Sequence, residues 1–132
     1  MINQILSHCG ATTLLTISTL TPRLHNSLSK DLFDHTLHTN LSGAFYTTQS
    51  AARAMATQSP PGGSIIGISS ISALVGGGLQ THYTPTKAGV LSLMQRCAVA
   101  LGKYNIRCNA LLPGTIRTGL NEKDLEDREK RA

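Results

Sequence analysis

The sequence predicts an α/β protein built on a parallel sheet, and three observations carry that expectation. Ser64-Ile65-Ile66-Gly67-Ile68-Ser69 is a short apolar run with the length and β-branched character of a strand, and the stretch 106–112 reads as a second strand. Each follows a longer segment whose apolar residues recur at helical spacing. Glycine and proline clusters separate the segments.

The first helix is predicted over 29–57, with an apolar face made of Leu28, Leu32, Leu37, Leu41, Phe45, Ala52 and Met55. Pro60-Pro61-Gly62-Gly63 then forms a turn, and a buried strand follows over 64–69. A second helix is predicted over 82–103 with Val90, Leu91, Met94, Cys97, Ala98 and Leu101 facing inward. Pro85 belongs in its first turn, because deeper in a helix proline removes a hydrogen bond and clashes with the preceding turn. Residues 1–28 are rich in Ser and Thr, hold no acidic residue and include the β-leaning run Thr12-Thr13-Leu14-Leu15-Thr16-Ile17-Ser18. They are left unassigned, 29–120 is read as the domain, and 121–132 as a charged tail.

With 132 residues the chain holds one domain at most. The net charge of +5 is uneven: residues 1–120 carry eight Lys or Arg against Asp31 and Asp34, while the last twelve carry four basic and five acidic residues. Five aromatic residues and scattered basic ones do not make a nucleic-acid surface, so no such partner is expected. Cys9, Cys97 and Cys108 show no paired spacing, which points to reduced thiols and a cytoplasmic location. No apolar run is long enough to cross a membrane, and the stretch 11–18 lacks the basic leader of a signal peptide. His35 and His38 share a helix face with Asp31 and Asp34, and a solvated surface accounts for them without a metal.

Ser70, Tyr83 and Lys87 form the pattern S-x(12)-Y-x(3)-K. Tyr83 and Lys87 are four apart, so a helix puts the ammonium beside the phenol oxygen. A phenol, with an ordinary pKa of about 10, serves as a base near neutrality only when its anion is stabilised, and a lysine cation does that. Ser70 stands at the C-terminal end of the predicted strand, where open α/β sheets bind ligands. Spacing alone is equally compatible with an ordinary strand end and helix face.

Four blocks around these residues resemble, in order, the short-chain dehydrogenase/reductase family. They are Asn40-Leu41-Ser42-Gly43-Ala44-Phe45; Gly63 to Ser70; Tyr83-Thr84-Pro85-Thr86-Lys87-Ala88-Gly89, in which Pro85 and Thr86 replace the family's Ala and Ser; and Asn109 to Thr118, similar to N-x-x-x-P-G-x-I-x-T. The resemblance implies the catalytic middle of a partial Rossmann-like fold, a doubly wound parallel sheet. It further implies NAD or NADP as cofactor and an alcohol, carbonyl or sugar as substrate. Tyr83 would exchange a proton with the substrate oxygen, and Ser70 would hydrogen-bond it. Lys87 would favour the phenolate and hold the nicotinamide ribose, with Asn40 keeping a water behind it. Pro113, Gly114, Ile116 and Thr118 would meet the cofactor. The stretch from Gly63 to Lys87 and the run from Pro113 to Glu122 also look like fungal sugar 1-dehydrogenases that act on L-rhamnose.

The sequence departs from this family in two places. No T-G-x-x-x-G-x-G phosphate loop occurs in it, and the nearest counterpart of the family's N-N-A-G turn is His8-Cys9-Gly10-Ala11. A truncated relative without a cofactor-phosphate site is therefore the alternative to an active oxidoreductase. A third reading is an interaction fragment, or a homo-oligomer, that uses the helices over 29–57 and 82–103 as its contact surface.

Overall fold

The computed structural model describes residues 12–15, 27–76 and 78–116. Strand β1 (Thr12–Leu15) comes first, followed by helix α1 (Lys30–Leu37), a π-helical turn (His38–Ser42) and helix α2 (Gly43–Thr57). Strand β2 (Gly63–Ile68), the single-turn helix α3 (Ser72–Val75), helix α4 (Thr84–Leu101), a 3-10 turn (Gly102–Tyr104) and strand β3 (Ile106–Leu111) complete the order. The sheet order is β1-β2-β3 and both pairings are parallel. Thr12 pairs with Ser64, and Gly63 with Ile106. The Thr12-Thr13-Leu14-Leu15 part of the β-leaning run thus supplies β2 with its second neighbour; Thr16 to Ser18, and the Gly10 turn, lie outside the described residues.

The four elements expected from sequence, over 29–57, 64–69, 82–103 and 106–112, end within two residues of those bounds, with a π turn inside the first, whereas α3 was not expected. Ser29 caps α1 by accepting a hydrogen bond from the Leu32 amide at 3.2 Å. Pro85 falls in the first turn of α4, where its missing N–H costs nothing. Asn105 ends the 3-10 turn in the left-handed region, at φ 58°, and its carbonyl accepts from the Gly63 amide at 3.2 Å. Asparagine tolerates that conformation better than most residues.

The inward face of the first helix differs from the one its apolar spacing predicts. Leu37 and Phe45 are exposed, at 36% and 45%, whereas Thr36, Asn40, Ala44, Thr48, Ala51 and Met55 are buried. The buried positions recur every four residues from Thr36 through the π turn to Thr48, a spacing that the wide turn keeps on one face, and they lie one residue before the predicted Leu37, Leu41 and Phe45. On α4 the prediction fares better, with Val90 and Met94 buried and Leu91, Cys97, Ala98 and Leu101 half-buried.

The core joins Ala51 and Met55 of α2, Ile65 of β2, Met94 of α4, and Ile106 and Cys108 of β3. Burial, together with the nearby Cys97, pushes the Cys108 thiol up to about 11, so it stays protonated and packs as a small apolar group. Two glycines allow α4 to lie this close. A methyl group on Gly67 would come within 2.6 Å of Met94 Cγ, and one on Gly89 within 2.9 Å of both Leu41 methyls.

Gly67→Ala is expected to destabilise the chain by about 1–3 kcal/mol in urea unfolding, through overpacking against Met94. Shortening Met94 to alanine in the same chain should remove most of that penalty, leaving the cost of the Met94 change itself.

Candidate active site

The C-terminal end of β2 carries the site, and three hydrogen bonds fasten its neighbours there. Ser69 Oγ donates to the Lys87 carbonyl at 2.7 Å, and Lys87 Nζ donates back to the Ile68 carbonyl at 3.0 Å. The Ser69 amide donates to the Leu111 carbonyl at 2.8 Å. Two residues further on, the Ile71 amide reaches the Pro113 carbonyl at 3.0 Å. The loops after β2 and β3 and the first turn of α4 therefore meet around Ser69 and Ser70.

Lys87 is 1% exposed, and its ammonium lies 5.5 Å from the centre of the Tyr83 ring. Burial pushes its pKa below the ordinary 10.5, because a desolvated ammonium is disfavoured relative to the neutral amine. Tyr83 is half-buried and directly precedes α4. Its position four residues before Lys87 brings the two side chains together, as helical spacing requires.

Ser70 is half-buried in the turn entering α3. Its Oγ accepts from the Ser72 amide at 3.2 Å and from Ser72 Oγ at 2.9 Å. Ser72 is itself buried, at 6% exposure. Asn40 sits in the π turn, fully buried, and its Nδ2 donates to Thr86 Oγ1 at 3.1 Å. Thr86 Oγ1 in turn donates to the Tyr83 carbonyl at 2.6 Å. Asn40 is thus connected to the α4 turn that bears Tyr83 and Lys87, while Ser70 lies at the strand end to which Lys87 is tied.

Of the residues assigned to a cofactor by resemblance, Pro113 is half-buried in the loop after β3, and Gly114 and Ile116 are exposed there. Among the described residues, a methyl group on Gly114 would meet nothing within 4 Å. Thr118 lies outside the described residues. The open side of Gly114, next to Pro113 in the loop after β3, leaves room for a ligand group there. For the pyrophosphate the sequence offers no glycine-rich cradle of the T-G-x-x-x-G-x-G kind.

Sequence reasoning passed over Ser69, Ser72 and Thr86, whose hydroxyls hold these pieces together. The doublet Ser69-Ser70 was the one available signal, since a strand end has little reason to keep two hydroxyls unless both are bonded. His82, taken from sequence as a helix-start residue, is 1% exposed, and neither ring nitrogen has a partner among the described residues. The same holds for Gln80 Oε1 and Thr84 Oγ1. An unpartnered buried polar group costs about 1–3 kcal/mol, so the turn before α4 carries unspent hydrogen-bonding capacity. His35 and His38 are exposed, and among the described residues no group of three or more His, Cys, Asp or Glu is arranged to hold a metal. No helix there is long and apolar enough to cross a membrane.

A parallel sheet with a serine beyond one strand end and a Tyr/Lys pair at the start of a covering helix places the chain among the α/β proteins. The chain belongs to the short-chain dehydrogenase/reductase family: the family model described as Enoyl-(Acyl carrier protein) reductase matches residues 4–132. That match takes in residues 4–28 and 121–132, the segments that spacing alone left outside the domain. The chain is 64% identical over 104 residues to L-rhamnose 1-dehydrogenase (NAD(P)(+)) of Azotobacter vinelandii, an alignment that covers 79% of this chain and 40% of that protein. It is 71% identical over 96 residues to L-rhamnose-1-dehydrogenase of Scheffersomyces stipitis, covering 73% and 37%. Among solved structures, a short-chain type dehydrogenase/reductase from Mycobacterium ulcerans superposes with a TM-score of 0.87 at 28% identity, over 98% of this chain and 48% of that one. The chain spans about 40% of the length of the curated relatives it matches.

The buried ammonium gives a pH prediction whose sign is fixed. The folded chain holds the Lys87 proton less tightly than the unfolded chain, so the burial penalty is fully present below the folded pKa. It is relieved as pH rises through that value towards 10.5. The stability of the wild type relative to Lys87→Met should therefore increase across this window, as followed by urea unfolding at a series of pH values. A difference that stays flat with pH contradicts a desolvated ammonium.

Proposed function

We propose that the protein is an NAD(P)-dependent oxidoreductase acting on an alcohol or carbonyl, with an aldose such as L-rhamnose, oxidised at C1 to the lactone, as its substrate. The observation that carries the reading is the Lys87 ammonium, buried beside the Tyr83 ring at the end of β2. The similarity to the two L-rhamnose dehydrogenases, one of them NAD(P)(+)-dependent, supports the substrate and the cofactor.

Each residue then has a task its surroundings suit. Tyr83 passes a proton to or from the substrate oxygen, and Lys87 favours the phenolate through its charge. The bonds from Ser72 use Ser70 Oγ as an acceptor, which leaves the Ser70 proton to donate to the substrate oxygen. Asn40 and Lys87 frame the proton path behind Tyr83. Pro113, Gly114, Ile116 and Thr118 hold the nicotinamide end, together with Tyr83 and Lys87. When bound, the nicotinamide supplies the hydride chemistry that the protein's own side chains lack. The free thiols, with burial raising the pKa of both Cys97 and Cys108, are in keeping with a cytoplasmic setting.

Tyr83→Phe should lower kcat/KM for aldose oxidation by about 10²-fold or more while the fold is retained. Calorimetric titration of the same chains with NAD and NADP tests the cofactor. Turnover that survives the substitution overturns the proton-transfer role, and the lack of any heat of binding favours the alternative of an inactive relative.

A second reading concerns assembly and can hold alongside the first. Phe45, Ala52 and Ala56 of α2 face Leu93, Cys97 and Leu101 of α4 across an apolar groove of about 330 Å³ that none of the described residues fills. A copy of the chain seated there would bury the exposed Phe45 ring. Phe45→Glu is expected to turn a dimer into a monomer in sedimentation velocity, and a wild type that is monomeric at the same concentration contradicts the interface.

A further inference from the structure

We propose that Thr86 is a positioning residue of this site, its hydroxyl locking the Tyr83–Lys87 turn of α4 onto the π turn that carries Asn40. The proposal rests on the oxidoreductase reading for its consequence and on the geometry for its existence.

A threonine hydroxyl has one proton to give and lone pairs to receive. Thr86 Oγ1 uses both: it donates to the Tyr83 carbonyl at 2.6 Å and accepts from Asn40 Nδ2 at 3.1 Å. The first bond, three residues back along the chain, is by itself a common local feature of helix starts. The second spans 46 residues of sequence and joins two different helical segments. Both partners are shut off from water, with Thr86 1% and Asn40 0% exposed, so losing the hydroxyl removes this bond where no water can replace it.

Its place in the chain gives the bond leverage. Thr86 lies between Tyr83 and Lys87, so any shift of its turn moves both side chains. Three residues further along the same helix face, Gly89 abuts Leu41, the neighbour of Asn40. A hydroxyl and a missing side chain thus set the height and distance at which α4 meets the π turn. The β-branch of threonine restricts χ1 and leaves the hydroxyl few other directions. Valine keeps the shape without the hydroxyl, whereas serine keeps the hydroxyl without the branch.

The test compares wild type, Thr86→Val and Thr86→Ser in the isotope-labelled chain by NMR. Two signals are followed: solvent exchange of the Asn40 Nδ2 protons, and the cross-relaxation between the Lys87 side chain and the Tyr83 ring. Wild type and Thr86→Ser should show slow exchange and the ring contact. Thr86→Val should exchange about tenfold or more faster and lose the contact, with its circular dichroism unchanged. In turnover assays kcat should fall about tenfold in Thr86→Val, with KM for the aldose within about twofold, and recover in Thr86→Ser. Unaltered exchange in Thr86→Val, a ring contact that persists in it, or failure of serine to restore both signals overturns the proposal. If the wild type turns over no aldose, or Tyr83→Phe keeps full turnover, the oxidoreductase reading falls, and the two NMR signals still decide the role of Thr86.

Discussion

The structure depends on the pair of hydrogen bonds between the end of β2 and Lys87. A buried ammonium is costly unless an acceptor meets it, and the Ile68 carbonyl does so at 3.0 Å. The return bond, from Ser69 Oγ to the Lys87 carbonyl at 2.7 Å, fixes the same residue by its backbone. Lys87 is thereby held at both ends, and the Tyr83 phenol one turn earlier inherits that placement. The loop after β3 is aligned by the same strand end, through the Leu111 and Pro113 carbonyls.

Close approach between elements makes this tie possible. β2 is the central strand, with parallel neighbours on both edges, and α4 lies over it where Gly67 leaves room for Met94. On its other side α4 reaches the π turn, where Gly89 leaves room for Leu41. Wide turns of this kind commonly appear at functional positions because they re-aim one residue without ending the helix. Here the re-aimed residue is Asn40, fully buried and bonded to Thr86. Family membership and helix packing thus converge on one region, the C-terminal end of a parallel sheet, where ligands of α/β proteins bind.

Much of this was legible from the residues. The helix and strand bounds follow from apolar period, from Pro60-Pro61-Gly62-Gly63 and from Pro85, because these signals are local. The pairing of Tyr83 with Lys87 follows from helical spacing. What was hidden depended on tertiary contact. Leu37 and Phe45 read as core and stand exposed, because the buried face runs one residue earlier, through Thr36, Asn40, Ala44 and Thr48. No pattern in one sequence announces that Thr86 will meet a side chain 46 residues away. That the β-leaning run at Thr12–Leu15 lies beside β2, and in which register, came only from the parallel pairing.

The central claim is that Lys87 is a buried cation tied to the end of β2, and its ammonium signal reports on that tie directly. In 15N-detected lysine side-chain spectra at neutral pH, the Lys87 NζH3 group should appear as a resolved, slowly exchanging resonance with cross-relaxation to Ile68. Exchange as fast as that of the exposed Lys30 ammonium, with no contact to Ile68, would contradict the account.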